Sequence, residues 1–295
     1  MTPLISSAMS TAPLSTVPSA HRVAITNEKV TGPPAAEMLR LSDITDMKTV
    51  EVLDNASGAG ILVGHLLRLP LTHGTLQLKQ VVAGDLDETM LSFISEKQQT
   101  AATSTAWKDV AIKKIDQQII PYGDATFTHV FANFGIFFCR DDIKALSEAY
   151  RVLKPSGTAG FTSWKAITWW PQVAEPALAQ HFPEAPKLPS PAGIFPSPGW
   201  NELGTISAKL CEAGFEGIRV SEYSFAPRVQ AKEFAEAIAV LIKVVAKRVW
   251  SEEIFVKYAG GIERALLRYL HENFEGGIWD GKMTAIISLG RKGYS

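Results

Sequence analysis

From about residue 49 the chain alternates short apolar, β-branched runs with longer segments of helical period. That order admits few folds other than a parallel sheet with helices on both faces. The run "TVEVLD" (49–54) reads as a first strand and "GILVGHLLRL" (60–69) as the helix that follows. "LKQVVAGD" (78–85) and "ETMLSFISEKQ" (88–98) repeat the unit, with Asp87 or Glu88 near the helix start. "DVAIKKID" (109–116) and "FTHVFANF" (127–134) supply a third and a fourth strand. Ile143, Leu146, Ala149, Tyr150 and Leu153 draw one helical face across "DDIKALSEAYRVL" (141–153). Pro155 and Gly157 are expected to stop that helix before the strand "TAGFTSW" (158–164).

The pattern then breaks. "PQVAEPALAQHFPEAPKLPSPAGIFPSPGW" (171–200) is dense in proline and reads as an irregular excursion with one short helix, the whole excursion spanning 165–200. Order resumes with a helix in "NELGTISAKLCEAGF" (201–215) and strands in "GIRVSEYSF" (217–225) and "KMTAIISLGRK" (282–292), while residues 231–271 read as two helices. Residues 1–20, rich in Ser, Thr, Pro and Ala, read as a flexible tail without the basic and apolar regions of a secretory signal. Residues 21–48 are expected to form a helical lid segment ahead of an α/β domain at 49–295, with further lid helices at 231–271.

In an open sheet of this kind, ligands lie beyond the carboxyl ends of the strands. The loop "VLDNASGAG" (52–60) sits at such an end. Gly58 and Gly60 allow positive φ and carry no Cβ to hold a ligand away. Asp85 ends the second strand, where a carboxylate can accept from both hydroxyls of a ribose. Asp116 ends the third, placed to accept from an exocyclic adenine amine, and Asn133 and Phe134 end the fourth. Taken singly, each acid is as good a helix cap as a ligand contact; their order along the strands is the stronger signal.

Residues 49–164 resemble the class I S-adenosylmethionine-dependent methyltransferases, and within them fungal small-molecule enzymes. "VLDNASGAG" is similar to that family's motif I, "AGDLDETML" to its ribose-binding strand end, "IDQQIIPYGDATFTHVF" to its third and fourth strands, and "ALSEAYRVLKPSGTAGFTSW" to the helix, turn and strand that follow. The resemblance implies a doubly wound, Rossmann-like, seven-stranded, mostly parallel sheet, with the N-terminal segment and the helical and proline-rich insertions as its lid. It implies Asp54, Ala56, Ser57, Gly58 and Gly60 around the methionine part of S-adenosylmethionine, and Asp85 on the ribose. It implies Leu86 and Met90 against the adenine, Asp116 and Gln117 at its edge, and Asn133 and Phe134 at the amino-acid end. Two positions depart from the family. Ala56 stands where a first glycine is usual, which an alanine tolerates at negative φ, and Thr128 stands where an acid often opens strand four.

Methyl transfer asks the protein mainly to align nucleophile, methyl and sulfur. A base is needed only for an acceptor that arrives protonated, and His181, in the excursion, is the candidate for it. Trp164, Trp169 and Trp170 either line a flat substrate or anchor the excursion to the core. The expected activity is methylation of a small, largely apolar natural product at oxygen. Three alternatives share these residues: cyclisation or rearrangement on the same fold, a cofactor-sensing regulator, and a nicotinamide reductase suggested only by the glycines. "YRVLKPSG" and the position of Asp116 weigh against the last.

Composition narrows the setting. A net charge of -1 offers no field for nucleic acid, and no apolar run is long enough to span a bilayer. The two cysteines, Cys139 and Cys211, have no metal-ligand spacing and suit a reducing compartment. A cytoplasmic monomer or homodimer that binds no metal is the expectation.

Overall fold

The strand-like runs assemble into one seven-stranded sheet in a computed structural model that describes residues 20–72, 74, 76–100 and 107–294. Its strands are β1 (Thr49–Asp54), β2 (Gln77–Asp85), β3 (Val110–Lys114), β4 (Phe127–Asn133), β5 (Leu153–Ala166), β6 (Glu216–Phe225) and β9 (Met283–Arg291), in the order β3-β2-β1-β4-β5-β9-β6. The first five strands in that order pair parallel, and β9 runs antiparallel between β5 and β6. A two-residue pair, β7 (Val229–Gln230) with β8 (Ile278–Trp279), stands apart. The fold is thus the doubly wound Rossmann-like sheet. The tail read at 1–20 lies, up to residue 19, outside the described residues.

The helices are α1 (Ala20–Leu41), α2 (Ile61–Leu66), α3 (Leu69–Thr72), α4 (Glu88–Gln99), α5 (Asp142–Val152), α6 (Glu175–His181), α7 (Leu203–Glu212), α8 (Ala231–Val249), α9 (Glu252–Tyr258) and α10 (Ile262–Asn273). None among the described residues is long and apolar enough to cross a membrane. Of the two acids expected near the start of α4, Asp87 is the cap, accepting from the Thr89 amide at 2.8 Å. Asp141 caps α5 the same way through Lys144.

Three apolar clusters organise the packing. Leu146, Ala149 and Val152 of α5 and Ile206 and Leu210 of α7 cover one sheet face through Phe127, Val130 and Phe161. Met38 and Leu39 of α1, Leu62 and Leu66 of α2 and Ile94 of α4 cover the other, with Val52 and Phe131. A third cluster joins α6, α8 and α10 around Phe234 and Trp279, whose rings stack at 4.3 Å.

Two expectations differ from the structure. β5 begins at Leu153, directly on the end of α5, so Pro155 and Gly157 lie inside the strand. Ser156 takes φ 65 there, and a Cβ on Gly157 would meet the Thr128 carbonyl oxygen at 2.8 Å. These residues bend the strand against β4 instead of delaying it. Residues 231–271 hold three helices instead of two. Trp250 turns extended after α8, Ser251 caps α9, and Gly260 and Gly261 carry the turn into α10.

At the amino end of the sheet, Thr128 has a structural task. Its hydroxyl donates to the Glu51 carbonyl at 2.9 Å and accepts from the Glu51 amide at 3.0 Å, tying β4 to β1. The buried Glu51 carboxylate pairs with Lys79 and Lys154, each at 2.9 Å.

Candidate functional site

The strand order puts the carboxyl ends of β3, β2, β1 and β4 side by side, and with them Asp116, Asp85, Asp54 and Asn133. β1 ends at Asp54, and the loop beyond it is pinned on both sides. The Asn55 amide donates to Phe131 of β4 at 2.7 Å, and the Ser57 amide to Gly84 of β2 at 2.9 Å. Gly58 and Gly60 take φ 50 and 78, in the left-handed region that side chains disfavour. They serve different ends. A Cβ on Gly58 would meet nothing within 4 Å, so the loop is open there. A Cβ on Gly60 would lie 2.9 Å from the Trp107 ring and 3.2 Å from Ile94, so that glycine is required by packing. Lys97 completes the support, donating to the Ala59 carbonyl at 2.6 Å across the face of Trp107.

Asp85 holds this loop against the next unit. One oxygen accepts from the Gly58 amide at 2.8 Å and the other from the Asp87 amide at 2.9 Å. Burial lifts its carboxyl above the ordinary range, against the pull of those amides. Asp54 is more extreme. It is fully buried, and neither oxygen has a hydrogen-bond partner among the described residues. Burial first, then the Asp85 charge, push its carboxyl well above the usual range; the Ala56 and Val63 amides point toward it without closing a hydrogen bond. Asn55 Oδ1 and Ser57 Oγ beside it are also buried and unpartnered. Buried polar groups are normally satisfied, so this concentration at one loop marks a place completed by something else. Two neighbouring carboxyls with no cation paired to either among the described residues suit a positively charged ligand.

Ala56 is not among the residues with positive φ. Its methyl group fills space that Gly135 leaves empty, since a Cβ on Gly135 would lie 2.2 Å from the Ala56 Cβ. Asp116, just past β3, accepts from the backbone and side chain of Gln118, and Gln117 donates to the Gly135 carbonyl at 3.3 Å. Leu86 is 61% exposed at the end of β2 and Met90 is half-buried on α4.

At the end of β4, Asn133 Oδ1 accepts from Thr162 of β5 at 2.8 Å, and its Nδ2 donates to the Thr31 carbonyl of α1 at 3.3 Å. α1 is also tied by Lys29 to Glu233 of α8 at 2.7 Å and by Glu28 to His65 of α2 at 3.0 Å. Phe134 takes φ 55 and stacks on Trp164, ring centres 4.1 Å apart. Trp164 packs against both the sheet cluster and the α6–α8–α10 cluster. Trp169 and Trp170 are buried inside the latter, Trp169 edge-on to Phe234. His181 ends α6 near Glu272 of α10, and its Nε2 is buried and without a partner among the described residues. The structure therefore gathers the strand-end residues at one rim and sets His181, Trp169 and Trp170 in the helical cap beside it. Sequence reasoning missed Asn55, Gly135 and Thr162. Only Thr162 left a signal, a polar residue inside the apolar run "AGFTSW".

Comparison with known proteins agrees with this geometry. Residues 53–161 match the methyltransferase domain family. The methyltransferase tpcH of Aspergillus fumigatus is 27% identical over 82% of this chain and 84% of that protein. The acetylaranotin bis-thiomethyltransferase of Aspergillus terreus is 25% identical over 84% of each. Among solved structures, phosphoethanolamine N-methyltransferase 2 of Haemonchus contortus shares the fold with a TM-score of 0.51, at 17% identity, over 92% of this chain and 57% of that one. These likenesses support S-adenosylmethionine-dependent methyl transfer, and the chain resembles the class I enzymes of that kind, fungal small-molecule members among them.

Proposed function

We propose that this methyltransferase acts on an oxygen atom of a small, largely apolar natural product that lies against the Phe134–Trp164 stack. The observation that carries the reading is the buried, unpartnered Asp54 carboxylate beside Asp85, under a glycine loop open at Gly58. A ligand with a cationic amino-acid end and a ribose meets the needs of both acids. Asp54, Ala56, Ser57, Gly58 and Gly60 surround the methionine part in this reading. Asp85 keeps its two amides and accepts from the ribose on its remaining lone pairs. Leu86 and Met90 flank the adenine, Asp116 and Gln117 take its edge, and Asn133 and Phe134 face the amino-acid end. When bound, the cofactor supplies a methyl group open to in-line displacement.

The protein's share is then alignment and exclusion of water. Trp164 bridges the sheet core and the helical cap, which makes its junction the acceptor's place; Trp169 and Trp170 form the wall behind it. A hydroxyl acceptor must lose a proton, and the unpartnered Nε2 of His181 is the group assigned to take it. A second reading, a thiol acceptor, draws support from the similarity to the acetylaranotin enzyme. A thiol ionises near pH 8.5, about 1.5 units below a phenol, and has less need of a base.

Calorimetric titration with S-adenosylhomocysteine is the first test. Micromolar binding, weakened about 100-fold in Asp85→Ala by loss of two charge-assisted hydrogen bonds, is expected. Absence of binding overturns the site. Transfer of labelled methyl to phenols faster than to thiols, slowed in His181→Asn, supports oxygen; the reverse order supports sulfur.

A further inference from the structure

We infer that Thr162 is a positioning residue that fixes which way the Asn133 amide faces, and so presents its N–H groups to the carboxylate of the cofactor. The inference rests on the reading above that Asn133 meets the amino-acid end. Thr162 lies on β5, fully buried, and its hydroxyl sits in a directed chain. Its oxygen accepts from the Phe134 amide at 2.8 Å, which leaves its hydrogen for Asn133 Oδ1, also at 2.8 Å. An O–H can donate to a carboxamide oxygen and not to a carboxamide NH2. The contact therefore turns Oδ1 toward β5 and Nδ2 toward α1, where one hydrogen goes to the Thr31 carbonyl at 3.3 Å. The second Nδ2 hydrogen has no partner among the described residues.

A carboxylate has only acceptors, so the amide orientation decides attraction or repulsion. Without the Thr162 hydroxyl, the flipped amide, which aims its oxygen at the ligand, becomes accessible. The same hydroxyl caps the amide of Phe134, whose left-handed backbone starts the turn after β4. One side chain thus sets both residues that end the strand.

The test compares two nucleosides. S-adenosylhomocysteine carries the amino-acid end, and 5′-methylthioadenosine lacks it. Thr162→Val is expected to weaken S-adenosylhomocysteine about ten-fold, the worth of one charge-assisted hydrogen bond, and to leave 5′-methylthioadenosine within two-fold. Thr162→Ser should restore wild-type binding of both. Asn133→Asp, which still accepts from Thr162 and offers no N–H, should show the same selective loss and covers the case in which Thr162→Val does not fold. Equal weakening of both nucleosides by Thr162→Val, or failure of Thr162→Ser to rescue, overturns the positioning role. Selective loss in Asn133→Ala with none in Thr162→Val also overturns it while leaving the reading of Asn133 intact. No selective loss in Asn133→Ala removes that reading, and this inference with it.

Discussion

β1 carries two buried carboxylates three residues apart in sequence, and they are in opposite states. Glu51, toward the amino end, pairs with Lys79 from β2 and Lys154 from β5. Burial would lift its carboxyl, and the two lysines outweigh that and hold it below the ordinary range. Asp54, at the carboxyl end, has no cation and no hydrogen bond among the described residues, and its carboxyl lies well above the range. The same strand thus completes one acid within the fold and leaves the other without a partner among the described residues, as the proposed cofactor site requires. A buried charge without a partner costs stability, and a carboxyl in that position answers by holding its proton until a cation is supplied. The two ends of β1 separate an acid that holds the protein together from one that the proposed function assigns to the cofactor.

The strongest way to break this comparison is Asp54→Asn. If Asp54 is uncompensated in the free protein, the neutral amide should raise the melting temperature. It should also weaken S-adenosylmethionine about 100-fold, or ~2.7 kcal/mol, through loss of a charge-assisted contact. A lower melting temperature with unchanged affinity would mean that Asp54 belongs with Glu51. The pH dependence has a definite sign. A carboxyl raised on folding stabilises most when protonated, so the Asp54 contribution declines as pH rises through its folded value. Affinity for a cationic ligand rises over the same interval, with proton release visible in buffers of different ionisation enthalpy. His129 works the other way. Burial holds its imidazole down at about 4, so its contribution is full above about 6.5, the unfolded value, and is lost as pH falls toward 4. The difference between wild type and Asp54→Asn isolates the carboxyl.

Glu51→Gln is the matching change at the other end. It removes the charge that Lys79 and Lys154 share, and both lysines are partly exposed, so a loss of about 1–2 kcal/mol is expected. That corresponds to a few degrees in melting temperature, with cofactor affinity within two-fold. Because Glu51 is lowered on folding, its contribution is present above about pH 4.3 and is lost on further acidification. A large change in affinity would show that the two ends are coupled.

What the sequence announced and what it concealed divide along the same line. Asp54, Gly58 and Gly60 are neighbours in the chain, and glycine in a strand-to-helix turn declares its own backbone demand. The positions of Asp85 and Asp116 were legible because parallel strands bring their carboxyl ends to one rim. The partners of Glu51 were not legible, since Lys79 and Lys154 reach it from other strands and look like solvated charges in a linear reading. Thr162 and Gly135 were hidden for the same reason. The role of Thr162 exists only through Asn133 and Phe134, and that of Gly135 only through Ala56. The third helix in 231–271 was missed because Ser251 and the two glycines punctuate an apolar period that continues on either side.

Exchanging the methyl group between Ala56 and Gly135 gives the smallest net effect. Gly135→Ala alone would drive one methyl group into another at 2.2 Å, an overpacking that costs about 1–3 kcal/mol and displaces the loop between Asp54 and Gly58. Ala56→Gly alone removes that methyl and costs about 0.5–1 kcal/mol of backbone freedom. Together the two changes exchange the methyl between strand ends. Of the three atoms nearest the new Cβ at position 135, those left are then the Gln117 amide at 3.2 Å, which can rotate, and the backbone of residue 56 at 3.7 Å. The double variant should therefore recover to within about 1 kcal/mol of wild type, with a coupling energy of opposite sign to the sum of the single changes. Recovery of both stability and cofactor affinity would establish that alanine replaces the usual glycine of this loop because the facing strand end gave up its own side chain. Recovery of stability without affinity would instead assign the methyl of Ala56 a contact with the ligand.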